Sequence, residues 1–157
     1  MKKGIDKAVS EIKKYFPDLF DEGYKIVATK YDENNFGNWI IVLHSNKSGI
    51  RIMNDRRQIV VLIGPPWALA NLEKTDHYYD MKIIIAFLEK GSSVDFNADL
   101  QHMELQYEKI NQQLHVYYQQ IIQLVNSPDF ENIEKELHLL YKNILAKNFP
   151  RLFEKRS

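Results

Sequence analysis

The chain has 157 residues and a formal net charge of zero, with 45% apolar and 27% charged residues. This composition is typical of one globular domain and excludes an intrinsically disordered chain. The sequence contains no cysteine, which excludes disulfides, thiolate metal sites and cysteine nucleophiles and favours a cytoplasmic protein. The basic start lacks the apolar run of a secretory signal, and no apolar stretch is long enough to span a membrane.

The first part of the chain predicts a helix followed by a small sheet. Residues 4–16 carry apolar side chains at helical spacing and stop before Pro17. Four strand-like runs follow, and the short turns between them permit only antiparallel neighbours. The predicted strands are Tyr24–Tyr31, Asn38–Ser45, Ile50–Asn54 and Gln58–Ile63. We therefore expect a four-stranded antiparallel meander, which the prolines of Gly64-Pro65-Pro66 end.

A buried helix is predicted after the sheet, because residues 83–88 leave almost no polar face. Thr75 or Asp76 is expected to cap the start of this helix, and Gly91 is expected to close its end. Residues 92–96 form the candidate linker to the rest of the chain.

The strongest pattern in the sequence is a heptad stripe in the second half of the chain. Eight apolar residues recur at alternating spacings of three and four between Leu100 and Leu124. Ser127-Pro128-Asp129 is expected to end this helix and start another, with Ser127 as the N-cap. Two striped helices joined by a tight turn predict a long antiparallel helical hairpin.

The elements together predict an α+β fold in a single domain that covers residues 1–157. A helix–sheet–helix core occupies residues 1–91, and the C-terminal helical hairpin occupies residues 95–149. The apolar stripe is wider than a two-helix seam needs, so a second copy of the chain could also pack against it.

One short segment, Asp76-His77-Tyr78-Tyr79-Asp80, places two acids, a histidine and two phenols side by side. Such groups can perform general acid–base catalysis, but an acidic cap is also typical of a helix start. The five histidines of the chain are never paired at helical spacing, so no metal site is predicted. Gly64-Pro65-Pro66-Trp67 lacks the residues of a phosphate loop, and no cofactor is expected.

The charges are distributed unevenly, and this asymmetry is the main indication of a partner. Residues 95–140 contain eight acidic and two basic residues, which gives −6 there and +6 over the remainder. The acidic residues expected on the outer face of the hairpin are Asp99, Glu104, Glu108, Glu131, Glu134 and Glu136. This face is predicted either to bind a basic protein or to keep a long helix in solution.

Basic residues at one predicted turn offer an alternative surface. Arg51, Arg56 and Arg57, with Lys47 one hairpin away, could form a basic patch beside Trp39 or Phe36. A patch of this kind can contact phosphates, but a basic turn also protects a sheet edge from pairing with another chain. Nucleic acid is therefore not the expected partner of this neutral chain.

Two segments of the sheet region resemble small bacterial α+β proteins of the immunity-protein type. These segments are Phe36–Leu43, which begins Phe-Gly-Asn, and Ile50–Val61, which contains Asp-Arg-Arg-Gln before an apolar strand. Those proteins carry a similar pattern with glycine where this chain has Arg57. The resemblance implies a protein that binds and neutralises a toxin, and it assigns no functional residue.

The function expected from the sequence is a non-catalytic protein-binding module of the immunity or antitoxin type. One alternative is a structural or assembly subunit that dimerises through the heptad helix. Another is a small hydrolase-like enzyme that uses the Asp76–Asp80 segment. A protein partner of basic character is expected, and no membrane partner is expected.

Overall fold

The computed structural model of the protein describes residues 2–90 and 102–149. The helices are α1 (Lys2–Tyr15), α2 (Pro17–Asp21), α3 (Met81–Leu88), α4 (Met103–Val125) and α5 (Phe130–Asn148). The strands are β1 (Lys25–Asp32), β2 (Asn38–His44), β3 (Gly49–Asp55), β4 (Gln58–Gly64) and β5 (Tyr79–Asp80). The predicted linker at residues 92–96, together with Gly91, Asp99 and Leu100, lies outside the described residues.

The predicted α+β class is confirmed, and the sheet is antiparallel with strands in the order in which they occur in the chain. The register places Ile52 of β3 between Ile41 of β2 and Val61 of β4. The sheet has five strands where four were predicted, because Tyr79 and Asp80 pair with the end of β4. A two-residue strand is too short to show the alternation from which strands are predicted.

The hairpin turn between β3 and β4 is formed by two arginines. Asp55 pairs with Gln58, so Arg56 and Arg57 form a two-residue loop. Their φ angles are 52° and 71°, the left-handed conformation that such loops require and that glycine adopts most easily. The Asn54 side chain accepts a hydrogen bond from the Arg57 amide at 2.9 Å and holds the turn without a glycine.

One face of the sheet forms the core with the helices. Alternate residues of the central strands, such as Ile41, Ile52 and Val61, are buried there. The same apolar cluster contains Phe16, which follows α1, and Leu114 of α4. Because α4 contributes directly to the core of the sheet, it is built into the fold rather than attached to it.

The apolar stripe of α4 is used within the chain. Its 23 residues give a helix about 35 Å long, and Tyr107, Ile110, Leu114 and Ile121 are all buried. The return helix α5 packs mainly on α3, with Leu137 and Ile144 against Ile83 and Ala86. The two long helices are joined by a short turn as predicted, and α3 contacts both of them.

A buried amide on α4 completes the start of β4. Gln106 accepts a hydrogen bond from the Ile59 amide at 2.9 Å and donates one to the Arg57 carbonyl at 2.8 Å. These are the bonds that a neighbouring strand would make, but β5 reaches only Leu62 and Ile63. The side chain of one helical residue therefore takes the place of a strand at this end of the sheet.

Two predicted helix starts were displaced. The N-cap of α3 is Asp80, whose carboxylate accepts a hydrogen bond from the Lys82 amide at 2.8 Å, and not Thr75 or Asp76. The helix cannot begin earlier because residues 79–80 belong to the sheet. Likewise α5 begins at Phe130, and the Ser127 hydroxyl accepts from the Asp129 amide in the turn before the helix.

Candidate functional site

The predicted acidic residues differ in their position along the helices and in their exposure. Glu104 lies in the first turn of α4 and Glu131 in the first turn of α5, which begins after the far end of α4. Because α4 is about 35 Å long, these carboxylates are spread along the molecule. Glu108 and Glu136 are exposed, Glu134 is largely covered, and Asp99 lies outside the described residues.

A concave acidic feature is found instead between α2 and α4. This open cleft has a volume of about 370 Å³, at the lower end of the range of ligand-binding pockets. One wall is acidic, the floor is apolar, and the opposite wall carries amide, imidazole and phenol groups. The lining residues are Asp18, Asp21 and Glu22 on the acidic wall, Leu19 and Leu114 on the floor, and Asn111, His115, Tyr118 and Gln119 on α4.

Short-range helix geometry brings the carboxylates together. Pro17 fixes the start of α2, so Asp18 and Asp21 lie about one helical turn apart, and Glu22 follows as the C-cap. No lysine or arginine is among the described residues that line the cleft. The cleft is therefore a place of negative potential with an apolar base.

The Glu22 carboxylate at the rim of the cleft is already paired with a cation. The Lys47 ammonium, from the turn between β2 and β3, donates a hydrogen bond to it. Both side chains are about 40% exposed, at 42% for Lys47 and 40% for Glu22, so the pair is a surface salt bridge of small stabilising effect. The Lys47 backbone is held in place because its carbonyl accepts from the Asn126 amide group at 2.8 Å.

A chain of hydroxyl groups leads from the cleft into the protein. Tyr118 donates to the Tyr24 hydroxyl at 3.2 Å, and Tyr24 is hydrogen-bonded to the hydroxyl of the buried Ser48. Burial raises the pKa of the Tyr118 phenol, and the hydrogen bond to Tyr24 and the charge of Glu22 raise it further. Tyr118 is therefore neutral at physiological pH and adds no charge to the cleft.

The irregular segment of residues 65–78, here called the strap, covers the other face of the sheet. Arg51 is 1% exposed beneath it, with its guanidinium carbon 4.5 Å from the centre of the Tyr78 ring. Arg51 donates to the carbonyls of Lys74 and Leu69, and the His44 ring bonds the Pro66 carbonyl at 2.9 Å. These bonds anchor the strap to the sheet.

The proposed basic surface of Arg51, Arg56 and Arg57 is therefore incomplete. Arg56 and Arg57 are exposed at their turn, where Arg56 lies over the Phe36 ring at 5.4 Å. Arg51 is buried under the strap and cannot contact a partner in this conformation. The strap has no periodic pattern, so nothing in the sequence indicates that it covers this arginine.

A second polar group, here called the strap–α5 cluster, consists of Trp67, His77, Tyr79, Glu134 and His138. Oε1 of Glu134 lies 2.6 Å from Nδ1 of His77 and accepts a hydrogen bond from the Tyr79 hydroxyl at 3.0 Å. The Tyr79 hydroxyl in turn lies 3.1 Å from Nε2 of His138. Burial and the adjacent Glu134 carboxylate raise the pKa of Tyr79, which keeps the phenol protonated as a donor.

The strap–α5 cluster also contains an exposed aromatic side chain. Trp67 is 58% exposed and meets the His77 ring edge-on, with 4.7 Å between the ring centres. It also lies near Phe130 at the start of α5. The hydrogen bonds and ring contacts together fasten the strap to α5.

The five residues of the Asp76–Asp80 segment do not converge on one site. His77 and Tyr79 face Glu134 on α5, whereas Tyr78 faces Arg51 on the sheet. Asp80 caps α3, and Asp76 is exposed. Both His77 and Tyr79 contact the Glu134 carboxylate, which the sequence analysis placed on an outer acidic face.

Comparison of the chain with protein-family models, with curated proteins and with solved structures finds no match. Within residues 2–90 and 102–149, no group of three or more histidine, aspartate or glutamate side chains could hold a metal ion. Over the same residues no helix is both long and apolar enough to cross a membrane.

Proposed function

We propose that this chain is a non-catalytic protein-binding module that engages a basic protein. In this proposal the chain acts in the bacterial cytoplasm as a protein of the immunity or antitoxin type. The observation that carries the proposal is the cleft between α2 and α4, which combines three carboxylates with an apolar floor. Negative potential in a concave site attracts a basic partner and speeds its association.

The alternative function, a structural subunit that dimerises through the heptad helix, has less support from the fold. Tyr107, Leu114 and Ile121 are buried within a single chain, so the stripe is not free to receive a second copy. The exposed apolar residues of α4 are Leu105 and Val116, which are eleven positions apart on the same side of the helix. Two separated side chains are ordinary for a protein surface.

The test uses two triple variants with the same change in charge. The first is Asp18→Asn, Asp21→Asn, Glu22→Gln in the cleft, and the control is Glu104→Gln, Glu131→Gln, Glu136→Gln on the long helices. The wild-type protein is used to capture partners from the source cell, and candidates are purified for calorimetric titration. We expect a basic protein whose affinity falls at least tenfold with the cleft variant and changes little with the control.

The result is interpreted only after both variants are shown to have wild-type circular dichroism and melting profiles. If the control variant loses the partner and the cleft variant retains it, the binding surface lies on the long helices, and the cleft does not carry the function. If the purified partner is toxic on expression, co-expression of the wild-type chain should restore growth and the cleft variant should not.

A further inference from the structure

The structure of the cleft indicates which chemical group of a basic partner it would receive. Its floor is made by Leu19 and Leu114, which are 5% and 4% exposed, and its rim carries Asp18 and Asp21. A lysine or arginine side chain has the matching character, because an apolar stem leads to a charged head. A compact inorganic cation would gain nothing from the apolar floor, since its hydration favours oxygen ligands on all sides.

The ring of Tyr118, in the wall of the cleft, is a second feature that favours a cationic side chain. Tyr118 is half-buried in the cleft and neutral, and it holds its hydroxyl toward Tyr24 inside the protein. A neutral ring attracts an ammonium or guanidinium group through its π electrons. The cleft thus offers an apolar floor, a ring and carboxylates to one extended cation.

The chain itself shows how a cation is held at this rim. Lys47 reaches Glu22 from the neighbouring turn, and its backbone is fixed by the Asn126 side chain and by the Ser45 hydroxyl, which accepts from the Lys47 amide at 3.0 Å. Lys47 does not line the cleft, so its ammonium neutralises one carboxylate and leaves the floor uncovered. Its ammonium pairs with Glu22, the carboxylate that the charged head of an incoming side chain would also contact.

We propose that the cleft binds a lysine or arginine side chain of the protein partner and that Lys47 competes with this side chain for Glu22. The proposal rests on the proposed function and adds the chemical group and a built-in competitor. It predicts that removal of the positive charge at Lys47 strengthens binding of the cationic side chain more than removal of a positive charge elsewhere on the protein does. The pair is exposed, so the effect should be about two- to fivefold, the range expected for a surface ion pair.

The experiment compares Lys47→Met with Lys142→Met, which removes the same charge from an exposed position on α5. The first probe is N-acetyl-arginine-amide, titrated into the full chain at physiological salt and followed by NMR of the methyl groups of Leu19 and Leu114. Saturable shifts are expected, with a dissociation constant about two- to fivefold lower for Lys47→Met than for Lys142→Met. The citrulline counterpart, which has the same shape without the charge, should cause no saturable shift.

Three results would overturn the proposal. The first is an equal affinity of Lys47→Met and Lys142→Met for the arginine probe. The second is binding of the citrulline probe as tight as that of the arginine probe. The third is tighter binding of spermine than of the arginine probe, together with no purified protein partner, which would assign the cleft to a free polyamine. The proposed function fails separately, through the two triple variants. A basic partner that depends on the cleft carboxylates but binds Lys47→Met and Lys142→Met equally would leave the proposed function standing and overturn only the further proposal made here.

Discussion

Nδ1 of His77 lies 2.6 Å from Oε1 of Glu134, although the two residues are 57 positions apart in the chain. The same carboxylate oxygen accepts a hydrogen bond from Tyr79, and the Glu134 side chain is only 12% exposed. Glu134 therefore joins the strap and the sheet to α5. Its role in the fold is distinct from that of the neighbouring Glu136, which is exposed on the same helix.

This difference predicts unequal effects of two similar substitutions on α5. Glu134→Ala should lower the free energy of unfolding by about 1–3 kcal/mol, because Tyr79 and His77 lose the acceptor that they share. Glu136→Ala should change it by no more than about 0.5 kcal/mol. Urea denaturation of the two variants measures both values. A loss for Glu134→Ala as small as that expected for Glu136→Ala would mean that the hydrogen bonds of Glu134 contribute nothing measurable to stability.

The burial of Arg51 predicts that Arg51 and Arg56, five positions apart on one hairpin, respond differently to replacement by lysine. Arg51→Lys should destabilise the protein by about 1–3 kcal/mol, since lysine cannot place a planar donor group under the Leu69 and Lys74 carbonyls. Arg56→Lys, at the exposed turn, should have an effect within about 0.5 kcal/mol.

Limited proteolysis gives an independent measurement of the Arg51 effect. Cleavage within the strap should be faster in Arg51→Lys than in the wild type, because the two carbonyl contacts hold that segment on the sheet. An unchanged cleavage rate, with unchanged stability, would show that Arg51 does not anchor the strap.

Two leucines on α4 test whether the heptad stripe packs within one chain. Leu114 is 4% exposed and Leu105 is 47% exposed. Leu114→Ala should cost about 2–5 kcal/mol of stability, as buried leucines usually do, and Leu105→Ala less than about 1 kcal/mol. The melting temperature of the wild type should not depend on protein concentration. A concentration-dependent melting temperature, steeper for Leu114→Ala, would instead indicate a seam between chains.

The sequence predicted the regular elements well because their patterns are local. The alternation in Asn38–Ser45 and the stripe between Leu100 and Leu124 each follow from side chains that must face one core. The α+β class, the antiparallel meander and the two long helices were obtained in this way. The fifth strand was missed because two residues carry no period.

The candidate site could be predicted much less completely, since its contacts join distant parts of the chain. Asp18, Asp21 and Glu22 lie outside the acidic segment of residues 95–140, and only tertiary packing places them opposite Tyr118. Glu134 looked like a surface acid because nothing local indicates that His77 lies against it. Gln106 is a further example, because nothing in the neighbouring sequence indicates that its amide bonds the start of β4.

Asp80 supplies the last prediction, which concerns pH. Its carboxylate caps α3 by accepting a hydrogen bond from the Lys82 amide. Burial nevertheless raises the pKa of Asp80 above the ordinary value of 3.8. The hydrogen bond from the Lys82 amide and the charge of the Lys82 side chain lower the pKa, but they offset the effect of burial only in part. Asp80→Asn keeps a good N-cap and removes the buried charge, so at pH 7 it should be as stable as the wild type or more stable. Asp80→Ala loses the cap and should be less stable by about 0.5–2 kcal/mol.

The sign of the pH effect follows from proton linkage at Asp80. Between pH 3.8 and the raised pKa of the folded state, the folded protein binds more protons at this residue than the unfolded chain. The contribution of Asp80 to wild-type stability therefore falls as the pH rises through this window. Any advantage of Asp80→Asn over the wild type should accordingly be largest at neutral pH and should vanish near pH 3.8. Urea denaturation between pH 3.5 and 7.5, with Asp76→Asn as the exposed control, measures the difference, and an advantage that grows toward acidic pH would contradict the account.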